Sequence, residues 1–362
     1  MKKLILHKFH KSMQAAFDTL DDRIIPYHYG NPVTEVNALM NSVGLTDRSY
    51  LGKVRLRGKD ALDLLNRIST NDMSKLMLGQ VCDTLFTTPK GRIIDYCRAF
   101  ILNGDIILIS SYSNTNHLIN WINRFVITED AEAMDISDDL VWLMLAGPDS
   151  CRFIESLSAE KEITAEDNLW LNFGNIAFPV FSNKDYLVPA YDICISPDEA
   201  REIVPELKER LLFSEGSMAG YSAYQTLRVE SGMPAWGNEL SENYNPHEAR
   251  LINAVSFTKG CYTGQEVIAR LDAYDKVQKY LMVINPDDTI DFKPPLDIYL
   301  DDEKIGTLTS LITNPKTNKP VGLGYVSKNY ALENINLKAD IVAGNKRINS
   351  TLRIPPKNLT SF

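Results

Sequence analysis

KVRLRGKDALDLLNRI, residues 53–68, changes its period halfway along. Lys53–Arg57 alternate polar with apolar side chains, the mark of a strand with one buried face, and after Asp60 the apolar residues recur at helical spacing. Gly58 accommodates the turn between the two. Downstream, CDTLFTTPKGRIIDYCRAFILNGDIILIS, residues 82–110, reads as short strands separated at Pro89–Gly91 and Asn103–Gly104, with Asp95 at a strand end. SYSNTNHLINWINRFVITED, residues 111–130, follows as a helix turning Leu118, Ile122 and Phe125 toward a sheet. Upstream, KFHKSMQAAFDTL, residues 8–20, predicts an amphipathic helix with Phe9, Met13, Ala16 and Leu20 near one face, and EVNALMNSVGLTD, residues 35–47, a second helix ending near Gly44. Strands and helices interleaved in this way predict an α+β body.

A further α+β unit is expected around residues 179–212, where DYLV and YDICIS read as strands and a charged helix starts after Pro197 with Asp198 favouring its amino end. A helix through Arg228 then runs into a Gly/Pro-rich loop, Gly232–Gly237, of the kind that lets backbone approach a ligand or simply turns the chain. Beyond it the chain becomes strand-like and turn-rich, with Lys279–Ile284, Lys304–Leu311 and Pro320–Val326 as strands. The expected division is residues 1–270 as two discontinuous α+β domains and residues 275–355 as a small β-rich domain.

A chain of 362 residues, 44% of them hydrophobic, has enough apolar surface for two or three packed domains. Its 38 basic and 47 acidic side chains leave a formal charge of −9, which argues against a general nucleic-acid surface. The five cysteines, Cys82, Cys97, Cys151, Cys194 and Cys261, show neither the spacing of a zinc site nor that of a redox pair, so no metal is expected. Cys97, Cys151 and Cys194 fall in hydrophobic runs and read as packing residues. No segment approaches the roughly 20 apolar residues of a membrane span. The expected address is cytoplasmic, or organellar if the source is eukaryotic.

Three stretches could carry chemistry. In RVESGMPAWG, residues 228–237, the Glu230 carboxylate could accept paired hydrogen bonds from an amide-like edge of a ligand, or could serve in an ion pair or exposed turn. In TTPKGRIID, residues 87–95, Asp95 could handle a proton at a substrate nitrogen, or act as a cap or salt-bridge partner. TKGCYTGQEVIAR, residues 258–270, concentrates Lys259, Gly260, Cys261, Gly264 and Gln265; Lys259 and a helix start would favour a Cys261 thiolate, whereas burial would make the thiol inert. His247 is either a satisfied histidine or a catalytic one, with no second histidine at ligand spacing.

LRGKDALDLLNRISTND, RVESGMPAWGNEL and VSFTKGCYTGQEVIARL together resemble the YgfZ-type folate-binding proteins of the glycine-cleavage T-protein superfamily, over roughly residues 30–350. The resemblance implies a three-domain aminomethyltransferase-like fold with a small C-terminal β-rich barrel. It also implies a cavity for tetrahydrofolate or another reduced folate, and a role in assembling or repairing iron–sulfur client proteins without a permanently bound cluster. It assigns Glu230, with Arg228, Gly232, Trp236 and Gln265, to the cofactor, and Lys259 and Cys261 to the reaction. The related alternative is tetrahydrofolate-dependent aminomethyl transfer, for which Asp95 in GRIID is the acid–base candidate; here IIDYC replaces the paired acids typical of aminomethyltransferases. A noncatalytic, folate-responsive interaction module is the third reading. The partners expected are folate and iron–sulfur client or assembly proteins, with no nucleic acid and no membrane.

Overall fold

The computed structural model describes residues 1–158, 164, 168–331 and 336–356. Its fold is α+β, built on a five-stranded and a six-stranded sheet, a small three-stranded sheet near the amino end and a closed barrel. The first sheet has five strands in the order Val81–Thr87, Ile93–Leu102, Asp105–Ser110, Gly52–Arg57 and Glu132–Asp135. The Ala61–Ile68 and Thr115–Asn123 helices bury Leu64, Leu65, Ile68, Leu118 and Ile122 against one face of it. Gly58, at φ +123°, makes the turn read from the sequence, and a Cβ there would lie 2.1 Å from the Asp130 carbonyl oxygen. Asn103 and Gly104 both have positive φ and close the hairpin between the second and third strands.

The second sheet has six strands in the order Leu169–Phe173, Ile176–Ser182, Ala190–Ile195, Val141–Ala146, Gly44–Asp47 and Ser217–Met218. Every residue of Val141–Ala146 and of Ala190–Ile195 is buried, because both faces of these central strands are covered. Phe100 from the first sheet stacks on Trp142 of the second at 5.6 Å and packs on Phe181 at 4.7 Å, so aromatic rings join the two sheets.

Six strands, Lys279–Pro286, Lys319–Ser327, Glu303–Asn314, Leu296–Leu300, Leu337–Ala343 and Lys346–Arg353, close the terminal barrel in that order. The Tyr221–Ser231 helix docks on it, burying Val229 among Leu281, Val283, Val321, Leu323 and Tyr325. Gly306, Gly322 and Gly324 permit this strand packing; a Cβ on any of them would come within 2.5 Å of a carbonyl oxygen on the adjacent strand.

Several local expectations change. The helix near the amino end covers only His7–Ser12; Gln14 adopts φ +57° and the chain continues as the Ala16–Leu20 strand. The charged helix, Pro197–Phe213, is capped by Ser196 rather than Asp198: Ser196 accepts from the Glu199 amide and Glu199 reaches back to the Ser196 amide, a capping box. DYLV does not pair in a sheet, and its backbone turns inward instead.

Candidate functional site

The two sheets, the Tyr221–Ser231 helix and the loop after it enclose a cavity of about 740 Å³, counted to its open mouth. Its walls are largely aromatic, with Tyr50, Tyr112, Trp142, Tyr186, Tyr224 and Trp236 among them. Strand ends deliver these side chains. The turn after Gly44–Asp47 carries Arg48 and Tyr50 inward, held by Arg48 N donating to the Trp142 carbonyl at 2.8 Å and Ser49 N donating to Asp47 Oδ1 at 2.8 Å. The unpaired DYLV segment supplies Asp185 and Tyr186, and the Gly/Pro-rich loop supplies Met233–Trp236.

Charge is concentrated at the deep end. Arg98 grips Asp83 through two hydrogen bonds of 2.8 and 3.0 Å and donates to Asp192 Oδ2 at 2.6 Å. Asn183 Nδ2 donates to the same Asp192 oxygen at 2.8 Å. The Arg48 guanidinium lies over the Tyr224 ring at 4.7 Å, with Nη1 3.6 Å from Asp192 Oδ1. Yet Arg48 Nε, Tyr50 OH, Ser110 Oγ and Asp192 Oδ1 are all buried without a hydrogen-bond partner among the described residues, and all four residues line this cavity. An unsatisfied buried polar group costs about 1–3 kcal/mol, so these four are the cavity's polar atoms with most to gain from a further partner. Both hydrogen-bond donors and an acceptor are on offer there.

A smaller polar cavity of about 330 Å³ shares Tyr96 and Asp185 with the first, and the Tyr96 hydroxyl donates to Asp185 Oδ2 at 2.9 Å between them. Among the described residues, no three His, Cys, Asp or Glu side chains converge as metal ligands.

The residues singled out from the sequence fall into three groups. Arg228 and Trp236 line the cavity. Arg228 is nevertheless fully engaged: it donates to Gln225 Oε1, the Met233 carbonyl, Glu239 Oε2 and Ser310 Oγ at 2.9–3.1 Å, and so ties the loop to the barrel.

Glu230, Gly232, Gln265 and Asp95 are not brought to it. Glu230 turns toward the barrel, where it accepts from Arg353 Nη2 at 2.7 Å and Asn314 Nδ2 at 3.4 Å, outside the cavity lining where the pterin-edge assignment would need it. Gly232 ends its helix at φ +73°, and a Cβ on it would sit 2.3 Å from Pro355, so its role is backbone geometry. Gln265 begins the Gln265–Ala273 helix outside the cavity lining. Asp95 is the third residue of its strand, not its end, and faces the helix-covered side; there it accepts from Ser111 Oγ at 2.7 Å and the Tyr96 amide at 2.8 Å. Burial pushes its pKa up to about 6. Alternation along the strand puts Tyr96, not an acid, on the cavity side.

Lys259 and Cys261 lie on an arch outside the cavity lining. Lys259 Nζ donates to the carbonyls of Asn66, Ser69 and Asn71 at 2.6–2.9 Å, and burial lowers its pKa to about 8. The far side is fixed by Thr87 Oγ1 donating to the Thr263 carbonyl at 2.7 Å. Tyr262 packs in the same cluster as Leu240, while Cys261 is exposed. His247 is a satisfied buried histidine, its Nε2 hydrogen-bonded to the Ile268 carbonyl at 3.1 Å. Asp192, Arg98 and Arg48 were missed; the signal for the first two was a charged residue inside an otherwise apolar, fully buried strand, AYDICI and YCRAF.

The fold is thus an α+β body whose aromatic chamber is backed by a six-stranded barrel. The family profile described as the GCVT N-terminal domain matches residues 6–259, and the chain belongs to that family. A chloroplastic Arabidopsis thaliana protein carrying a provisional transferase name is 30% identical over 329 residues, 90% of this chain and 74% of its own length. The aminomethyltransferase of Halothermothrix orenii is 28% identical over 335 residues, 90% of this chain and 92% of its own. The crystal structure of glycine cleavage system aminomethyltransferase T from Bartonella henselae superposes with a TM-score of 0.83 over 98% of both chains at 19% identity, which shows a common fold.

Proposed function

We propose that the chain binds tetrahydrofolate or another reduced folate in the large cavity and uses it in assembling or repairing iron–sulfur proteins, as in the YgfZ-type branch. The observation that carries the binding half is the set of buried polar atoms without a hydrogen bond, on Arg48, Tyr50, Ser110 and Asp192, in an aromatic chamber. A pterin is flat, stacks on aromatic rings, and carries an edge of NH donors beside a carbonyl acceptor. Asp192 would accept from that edge, Arg48 and Tyr50 would donate to it, and the tyrosine walls would hold its faces. The bound folate would supply a carrier for a one-carbon unit.

Two features favour maintenance of iron–sulfur proteins over aminomethyl transfer. The cavity-facing strand position holds Tyr96, and Asp95 is sealed behind it, so the acid–base candidate for a reacting amine is out of reach. The arch presents Cys261 to solvent, where a protein client could meet it.

Calorimetric titration of tetrahydrofolate into wild type and Asp192→Asn, each checked for folding by circular dichroism, tests the site. Saturable binding weakened at least about tenfold by the substitution is expected, the value of one charge-assisted contact. Absence of binding to folded wild type would defeat the reading. Client-enzyme activity in cells carrying Cys261→Ser tests the second half, and wild-type activity there removes the thiol from it. Turnover of an aminomethylated lipoyl carrier by the purified protein would instead favour the transferase.

A further inference from the structure

Lys53 has no exposed surface, and its ammonium stands in no ion pair among the described residues. It donates instead to three backbone carbonyls: Ser49 at 2.8 Å, Leu51 at 3.0 Å and Ser137 at 3.0 Å. An ammonium has three protons to give, so each carbonyl takes one. Ser49 and Leu51 flank Tyr50 in the turn that brings Arg48 and Tyr50 to the cavity, and Ser137 belongs to the segment after the Glu132–Asp135 strand, which pairs with Lys53's own Gly52–Arg57 strand. The same turn is held from its other side by Asp47, whose Oδ2 is hydrogen-bonded to His10 Nε2 at 2.8 Å, with the Tyr29 hydroxyl 2.8 Å from His10 Nδ1. A buried lysine of this kind costs much desolvation, and none of its bonds reaches a ligand. What it accomplishes is the placement of one turn.

From this arrangement we infer that Lys53 is a positioning residue for the ligand: by pinning the Ser49 and Leu51 carbonyls to Ser137 it sets the reach of Arg48 and Tyr50 into the cavity. The inference rests on the folate reading and adds its regulation by protonation. Burial lowers the Lys53 pKa to about 8, Arg23 pushes it the same way, and Asp47, Cys194 and Asp138 oppose. The two aspartates, both held below their ordinary range, keep their charge through neutral and mildly alkaline pH, and the Cys194 thiol, pushed up to about 12, stays neutral. Lys53 is therefore the group facing this turn that changes charge near pH 8. As a neutral amine it has two protons for three carbonyls, and one backbone contact of the turn is lost. Global stability moves in the opposite sense: the folded amine releases its proton near 8 and the unfolded one near 10.5, so this group favours the folded chain increasingly across that interval. Weaker binding in alkali would not be unfolding.

The test is tetrahydrofolate affinity from about pH 7 to about pH 9.5 under anaerobic conditions for wild type and Lys53→Met, with the Lys53 side-chain 13Cε resonance followed in labelled wild type with and without tetrahydrofolate. Expected are a wild-type Kd that weakens at least about fivefold across the range, and a Lys53→Met Kd already weakened at pH 7 that keeps only the slope owed to other groups such as Lys259. Linkage then requires the Lys53 titration to move to higher pH in the complex by the same factor. If Lys53→Met does not fold, the wild-type resonance decides alone. An unchanged Lys53 midpoint on saturation overturns the inference while leaving folate binding intact, whereas absence of binding at every pH defeats the folate reading itself.

Discussion

Asp95 is a carboxylate whose surroundings set its behaviour more than its motif does. It is buried against Ser111 and Cys97 on the helix-covered face, and its folded pKa of about 6 lies above the ordinary 3.8. The folded chain thus takes up this proton more readily than the unfolded one. The group's adverse contribution is full above about pH 6 and fades as pH falls toward 4. Asp95→Asn is accordingly expected to gain about 2 kcal/mol relative to wild type between about pH 4 and about pH 7.5, read by urea unfolding at both values. A flat difference would mean that the carboxyl is not held neutral. Glu230→Ala gives a contrasting result: folate affinity stays at the wild-type value while stability drops by about 1 kcal/mol, the scale of a half-exposed ion pair with Arg353. A large loss of affinity in that variant would return Glu230 to the binding surface.

At the scale of elements, the caps and turns carry definite energies. Gly232→Ala forces a Cβ into the left-handed region and against Pro355, and should cost at least about 2 kcal/mol by denaturant midpoint. Ser196→Ala removes one half of a capping box, worth about 1 kcal/mol. The strands from Gly52 to Ser110 were legible because alternation and Asn-Gly or Pro-Lys-Gly turns coincide there. The helix expected across residues 8–20 was not, since its apolar spacing fits a helix and only the left-handed Gln14 breaks it. The site was less legible than the fold. RVESGMPAWG was marked as a loop able to approach a ligand, and Arg228 and Met233–Trp236 line the cavity, but its acidic residue Glu230, two residues on and about 200° round the helix from Arg228, faces the barrel. Asp192 and Arg98 carry the deep charges from within apolar strands, where a local window sees only a polar interruption.

For the molecule as a whole, Glu239 connects the chamber to the barrel. It is buried, and it accepts from Arg228, the Ala235 amide, Thr309 and Ser310 at 2.6–3.1 Å, while Tyr325 donates to its carbonyl at 2.7 Å. Glu239→Ala leaves the Arg228 charge buried beside unpaired hydroxyls, an arrangement that costs roughly 3–5 kcal/mol. Hydrogen exchange should show protection lost first in the Glu303–Asn314 strand and the 233–240 loop together. Loss confined to either alone would mean that the barrel and the chamber wall open independently.

The Phe100–Trp142–Phe181 stack has a practical corollary. Trp142 forms part of the chamber and is wedged between rings from both sheets, so its indole emission, read with the other three tryptophans replaced by phenylalanine, is an optical gauge of how those sheets sit. Any occupant that shifts one sheet against the other would register as a change in tryptophan colour without a label being attached.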